Sequence, residues 1–161
     1  MQSKEPPDGY RESRWSMAMK IESVLLVDDE VEFVETLAER MRARGLDVEY
    51  ATNGKDAIEC AKTKTFDAVV LDLAMPGMSG IDTLKVLLED HPDLQIMLLT
   101  GQATIGDAVE ATRLGAVDVF EKPTDIETLI EKIREARAAR LALEEKHALD
   151  EIDRIMSSKG W

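Results

Sequence analysis

From Ile21 onward, short apolar runs alternate with stretches in which apolar residues recur at helical spacing. The runs are "VLLVD" ending at Asp28, "VEYAT" at Thr52, "AVVLD" at Asp72, "IMLLT" at Thr100 and "VDVFE" at Glu121. Short aliphatic and β-branched runs bounded by turn residues predict strands. Between them, Val34, Leu37, Ala38 and Met41 fall at i, i+3, i+4 and i+7, which traces one face of a helix. Ile81, Leu84 and Leu88 repeat the pattern, as do Ile126, Leu129, Ile130 and Ile133. The boundary residues agree. Gly45 follows the first helical stretch and His91-Pro92 closes the third. Asn53, Ser79, Thr104 and Thr124 stand where N-caps belong. Thr124 to Glu127 reads as a capping box, and Thr104 to Asp107 approximates one.

Strands alternating with helices predict an α/β fold, a parallel sheet with helices on both faces. The first, third and fourth runs are continuously apolar, as central strands covered on both faces must be. The second and fifth alternate with polar residues and belong at the edges. The prediction is a doubly wound, flavodoxin-like five-stranded sheet in the order 2-1-3-4-5. Such sheets bind ligands beyond the carboxyl ends of the strands, where the order reverses. Here that crevice lies between strand one, ending in Asp28-Asp29, and strand three, ending in Asp72.

Three carboxylates thus meet at one place. Two of them about 4 Å apart repel by roughly 4 kcal/mol at an effective dielectric near 20. They must share a proton or hold a cation. Oxygen ligands with open positions suit magnesium, which keeps its waters and meets phosphate readily. Strand four adds the hydroxyl of Thr100, with Gly101 leaving room beside it, and strand five runs into Lys122 and Pro123. A carboxylate nucleophile, a divalent cation, a hydroxyl and a lysine are what phosphoryl transfer to an aspartate requires.

Composition narrows the field. The chain has 161 residues, 44% of them hydrophobic, which is enough for one domain with a real core. A net charge of −13 disfavours direct nucleic-acid binding and suits metal cations or cationic protein patches. No apolar run is long enough to insert in a membrane. The first residues carry charge throughout and do not read as a signal peptide, so the expected compartment is the cytoplasm. The one cysteine, Cys60, excludes an internal disulfide framework and a cysteine-based zinc site and reads as packing. Met75, Met78 and Met97 read the same way; His91 reads as a helix-end group and His147 as exposed in a charged helix.

The segments "VLLVDDE", "VVLDLAMPGMSG", "MLLTG" and "GAVDVFEKP", in this order and spacing, resemble the receiver domain of bacterial two-component response regulators, the CheY-like superfamily. The likeness runs from about Lys20 to Arg137. It implies that Asp72 is the phosphoacceptor and that Asp28 and Asp29 bind Mg2+ together with Asp72 and the backbone carbonyl of Ala74. It implies that Thr100 and Lys122 hold the phosphoryl oxygens, and that the bond before Pro123 is cis. It further implies a sensor histidine kinase as donor and a downstream output protein. Such a chain is a regulatory protein and not an enzyme, beyond accepting its own phosphoryl group and slowly losing it. One departure is Val119, where the family usually has Phe or Tyr; Phe120 stands next to it.

Other readings fit less well. A dinucleotide-binding domain needs glycines after strand one, where this chain has acids. A haloacid-dehalogenase-like phosphatase needs a second Asp two residues beyond the nucleophile, and that position is Ala74. A receiver-like scaffold that is never phosphorylated is the remaining alternative. Expected boundaries are a disordered leader over 1–19, a receiver over 20–137 and a helical extension over 138–161 without an output domain. Leu141, Leu149, Ile152 and Met156 form a narrow apolar stripe on that extension, interrupted by Glu145. Homodimerisation, docking to a partner or folding back onto the receiver would cover it.

Overall fold

The computed structural model describes residues 21–101 and 105–160. The expected leader and the Thr104 cap lie outside the described residues. The strands are β1 (Ser23–Val27), β2 (Asp47–Ala51), β3 (Ala68–Leu71), β4 (Ile96–Thr100) and β5 (Asp118–Glu121). They pair in parallel in the order β2-β1-β3-β4-β5, as the alternation of apolar runs predicts. The helices are α1 (Val31–Ala43), α2 (Gly54–Thr63), α3 (Gly80–Asp90), α4 (Ile105–Leu114) and α5 (Ile126–Ser158).

Period-two alternation splits the core in two. Val24, Leu26, Val70, Met97 and Leu99 face α1 and α5, whose Val34, Ala38, Met41, Leu129, Ile130 and Ile133 complete one cluster. Leu25, Val27, Val69, Leu71, Ile96 and Leu98 face the opposite way, towards Ala57, Leu84, Leu87 and Ala111 of α2, α3 and α4. Each fully buried Val or Leu of these strands contributes about 1.5–3 kcal/mol of burial. In α3 the fully buried pair is Leu84 and Leu87, with Leu88 and Ile81 at the margin. Met75 and Met97 are buried, whereas Met78 remains exposed on the loop before α3.

Asn53 and Ser79 cap α2 and α3 by accepting the N–H groups of Asp56 and Asp82. At α5 the cap differs from the expected capping box. Asp125 takes the position and accepts the Thr128 N–H, while the Thr124 hydroxyl donates to the Glu121 carbonyl. Both residues are competent caps, and the turn out of β5 engages the first of them.

Helix α5 is unbroken for 33 residues. Its first turns are packed on the sheet through Ile126, Leu129, Ile130, Ile133 and Ala136. Farther along, Arg140 donates Nε at 3.1 Å and Nη2 at 2.5 Å to Oδ1 of Asp67. Asp67 is itself buried at the start of β3, and its other oxygen accepts the Ser23 N–H at 2.8 Å. One turn beyond the Arg140–Glu144 pair, His147 Nε2 lies 3.0 Å from Asp93. Leu149, Ile152, Ile155 and Met156 then point into solvent. Among the described residues, no helix is long and apolar enough to cross a membrane.

Candidate functional site

The sheet itself places the acids. The parallel ladder continues one residue past the strand ends, with the Asp28 N–H donating to the Ala51 carbonyl at 3.1 Å and the Asp72 N–H to Val27 at 2.9 Å. Adjacent central strands therefore carry Asp28 and Asp72 side by side, each only 4% exposed. Asp29 is half-buried beside them, and ligand oxygens of Asp28, Asp29 and Asp72 all lie within 4.8 Å of one another. On the far side, the Lys122 N–H donates to the Thr100 carbonyl at 3.1 Å, fastening the lysine to the end of β4. Thr100 is fully buried. The Lys122–Pro123 bond is cis.

Gly80 permits the close approach of α3 to this loop. A Cβ there would stand 2.4 Å from the Leu73 Cα and 2.5 Å from the Asp72 carbonyl oxygen. Within the loop, the Ala74 N–H donates to Asp72 Oδ1 at 3.1 Å, so Asp72 already receives one backbone hydrogen bond.

Lys122 is the cation among these acids. Its Nζ lies 2.5 Å from Asp28 Oδ2, 3.3 Å from Glu30 and 3.7 Å from Asp72 Oδ2. Burial opposes the charged ammonium, but the Asp28 hydrogen bond and the charges of Asp28, Asp72 and Glu30 outweigh it and raise the Lys122 pKa. Burial also pushes the Asp28 carboxyl up, and the Asp72 charge adds to that rise. The bonds from Lys122 and the Glu30 N–H offset it only partly. Both shifts report one imbalance: the crevice holds more carboxylate than a single lysine neutralises. All the donors are oxygens, two of the acids are held by the sheet, and the third stands at the opening. Such a set can take a hard metal ion.

Every site residue expected from the sequence lies at this end of the sheet, around Asp72. Glu30 and Phe33 were not singled out by sequence reasoning. Glu30 occupies the N-cap of α1 without capping it through its side chain, and its N–H donates to Asp28 Oδ1 at 2.9 Å. The Phe33 ring lies beneath Lys122, with Nζ 4.2 Å from its centroid. An aromatic in the first turn after an acid pair was the available signal, but in sequence it is indistinguishable from a core residue. Val119 is half-buried on the α3 and α4 side of the sheet, while Phe120 packs on the opposite side against the cluster of α1 and α5.

Residues 24–134 match the family model of the response regulator receiver domain. The chain is 36% identical to the transcriptional regulatory protein ZraR of Klebsiella oxytoca over 115 residues, 71% of this chain and 26% of the relative. It is 37% identical to the acid tolerance regulatory protein ActR of Rhizobium meliloti strain 1021 over 108 residues, 67% of this chain and 56% of the relative. The chain thus spans between about a quarter and about half of the length of these curated relatives. Among solved structures, a response regulator protein from Burkholderia pseudomallei, with a phosphorylated aspartic acid, calcium ion and citrate, superposes with a TM-score of 0.67 at 27% identity, covering 86% of each chain.

Proposed function

The chain belongs to the response regulator receiver family, and on that premise we propose that Asp72 accepts a phosphoryl group from a phosphohistidine of a sensor kinase. One observation carries the reading: Asp28, Asp29 and Asp72 converge within 4.8 Å, with Lys122 reaching into the same crevice. The Burkholderia relative, described with a phosphorylated aspartic acid and a calcium ion, supports the same assignment.

In the transfer, an Asp72 carboxylate oxygen bonds to phosphorus as the phosphorus–nitrogen bond breaks. The histidine departs with the electron pair and takes up a proton. Asp28, Asp29, Asp72 and the backbone carbonyl of Ala74 would hold Mg2+, which would supply positive charge to offset that of the phosphoryl oxygens. The Thr100 hydroxyl donates to one of those oxygens, and Lys122 pairs with another. The backbone bond from Ala74 orients the acceptor carboxylate, and the ladder bond from Asp72 to Val27 keeps its main chain fixed. We place this exchange in the cytoplasm, with the signal passed by protein contact to an output partner.

The test is intact-mass analysis after incubation with acetyl phosphate, with and without magnesium. The expected result is one hydroxylamine-labile phosphoryl adduct that requires magnesium and is absent in Asp72→Asn. An adduct that resists hydroxylamine, or one that persists in Asp72→Asn, overturns the assignment.

A further inference from the structure

Both oxygens of Asp28 are engaged. Oδ1 accepts the Glu30 N–H at 2.9 Å and Oδ2 accepts Lys122 at 2.5 Å. A metal ion that takes Asp28 as a ligand competes for these oxygens. The backbone bond belongs to the start of α1, where the Val34 N–H also closes onto the Glu30 carbonyl, and so it holds. The lysine, on a flexible four-carbon stem, is the partner that yields. Its side chain is only 12% exposed, and an ammonium released there without new neighbours bears a desolvation cost.

The neighbours are already present. The Phe33 ring faces Nζ at 4.2 Å, and Glu30 reaches it at 3.3 Å from the solvent side. Phe33 is half-buried and rests on the core cluster under α1 and α5, so its ring is held from behind. Between the ring, Asp28 and Asp72 there remains a gap of about 10 Å³, which leaves no room for the ring to swing under the acids. An aromatic face attracts a monovalent ammonium through its quadrupole yet offers no oxygen to a divalent metal. It separates the two cations by chemistry.

We propose that Phe33, assisted by Glu30, is a positioning residue that keeps the Lys122 ammonium beside Asp72 when the lysine gives up Asp28 to the metal. This rests on the metal-dependent reading above. It adds that the first turn of α1 holds the lysine in reserve for the phosphoryl group. Without the ring, leaving Asp28 is costlier for Lys122, and the metal competes against a tighter ion pair.

Phe33→Leu keeps apolar volume and removes the quadrupole; Phe33→Tyr keeps the ring. Magnesium affinity is measured by titration on the full chain, and the Lys122 ε-methylene signals are followed by NMR. The expected result is a three- to tenfold loss of magnesium affinity in Phe33→Leu, in line with the usual strength of such contacts, and less than a twofold change in Phe33→Tyr. The ring-shifted Lys122 signal should persist on adding magnesium to the wild type and to Phe33→Tyr, and be lost in Phe33→Leu. Equal affinities in Phe33→Leu and a magnesium-binding wild type overturn the role of Phe33 alone. A wild type that shows the ring-shifted signal but binds no magnesium overturns the metal-dependent reading and the lysine transfer with it. Thermal unfolding of each variant identifies a fold defect, and a loss shared equally by both variants also refutes the proposal.

Discussion

Arg140→Ala removes the more buried of two side-chain contacts, Arg140–Asp67 and His147–Asp93, that tie the far part of α5 to the receiver. The Asp67 side chain is 6% exposed and Arg140 16%, so the charge left behind would be a buried carboxylate. Removing one partner of a buried pair costs about 3–5 kcal/mol. Two features reduce that here: the Ser23 N–H remains on the other oxygen, and Arg140 stands at the edge where water can enter. The expected loss is about 2–3 kcal/mol. The Arg140–Glu144 pair adds little to it, being exposed on the Glu144 side. For a chain of this size that corresponds to a fall in Tm of roughly 5–10 °C. Urea unfolding followed by far-UV circular dichroism measures it, with Asp67→Asn and the double variant completing a cycle. The double variant should recover at least about 1 kcal/mol relative to additivity, because a neutral amide no longer needs the guanidinium. A loss below about 0.5 kcal/mol in Arg140→Ala, or strict additivity, would show that the pair does not anchor the helix.

Two further outcomes follow from the site. Gly80→Ala should cost about 2–3 kcal/mol or more and lower phosphoryl acceptance, because the atoms it meets are backbone atoms of Leu73 and Asp72. Gly77→Ala, with open space around it but φ at +78°, should cost only about 1 kcal/mol and leave acceptance intact; denaturation and intact-mass analysis compare the pair. For Asp28, the folded carboxyl is raised above its ordinary 3.8 by burial. Its stabilising contribution is therefore present below the unfolded value and lost as pH rises through the folded one. Asp28→Asn should then be more stable than the wild type at neutral pH, Lys122 retaining Glu30 and Asp72, with the advantage vanishing in acid. Denaturation across pH checks this, and a less stable Asp28→Asn at neutral pH would refute it.

Strand order was legible because burial on one face or two writes itself into apolar spacing. The acids were legible for a related reason: a carboxylate ending an apolar run has few uses except at a crevice. Other features left weaker traces. Thr124 and Asp125 are adjacent and equally able to cap, so local propensity could not choose between them. The Arg140–Asp67 contact joins residues 73 apart, and no periodicity encodes which charges meet over that distance. The same holds for His147, which is exposed as its charged surroundings predict and yet sits against Asp93. Phe33 has the spacing of a core residue, and only the fold reveals that its outer face meets an ammonium.

Helix α5 starts three residues after Pro123, packs on the sheet as far as Ala136, and is held beyond it by His147 on Asp93 and, more deeply, by Arg140 on Asp67. At about 1.5 Å per residue, that contact divides it into an inner arm of roughly 20 Å and an outer arm of roughly 27 Å. The inner arm is fixed by its packing on the sheet, and the outer arm is tied by the two side-chain contacts, Arg140 with Asp67 and His147 with Asp93. Beyond His147 the helix is a cantilever, so a small tilt of its packed part grows with distance from the last tie. Leu149, Ile152 and Met156 ride on the outer arm, which makes them the residues displaced farthest by a small adjustment at the other end.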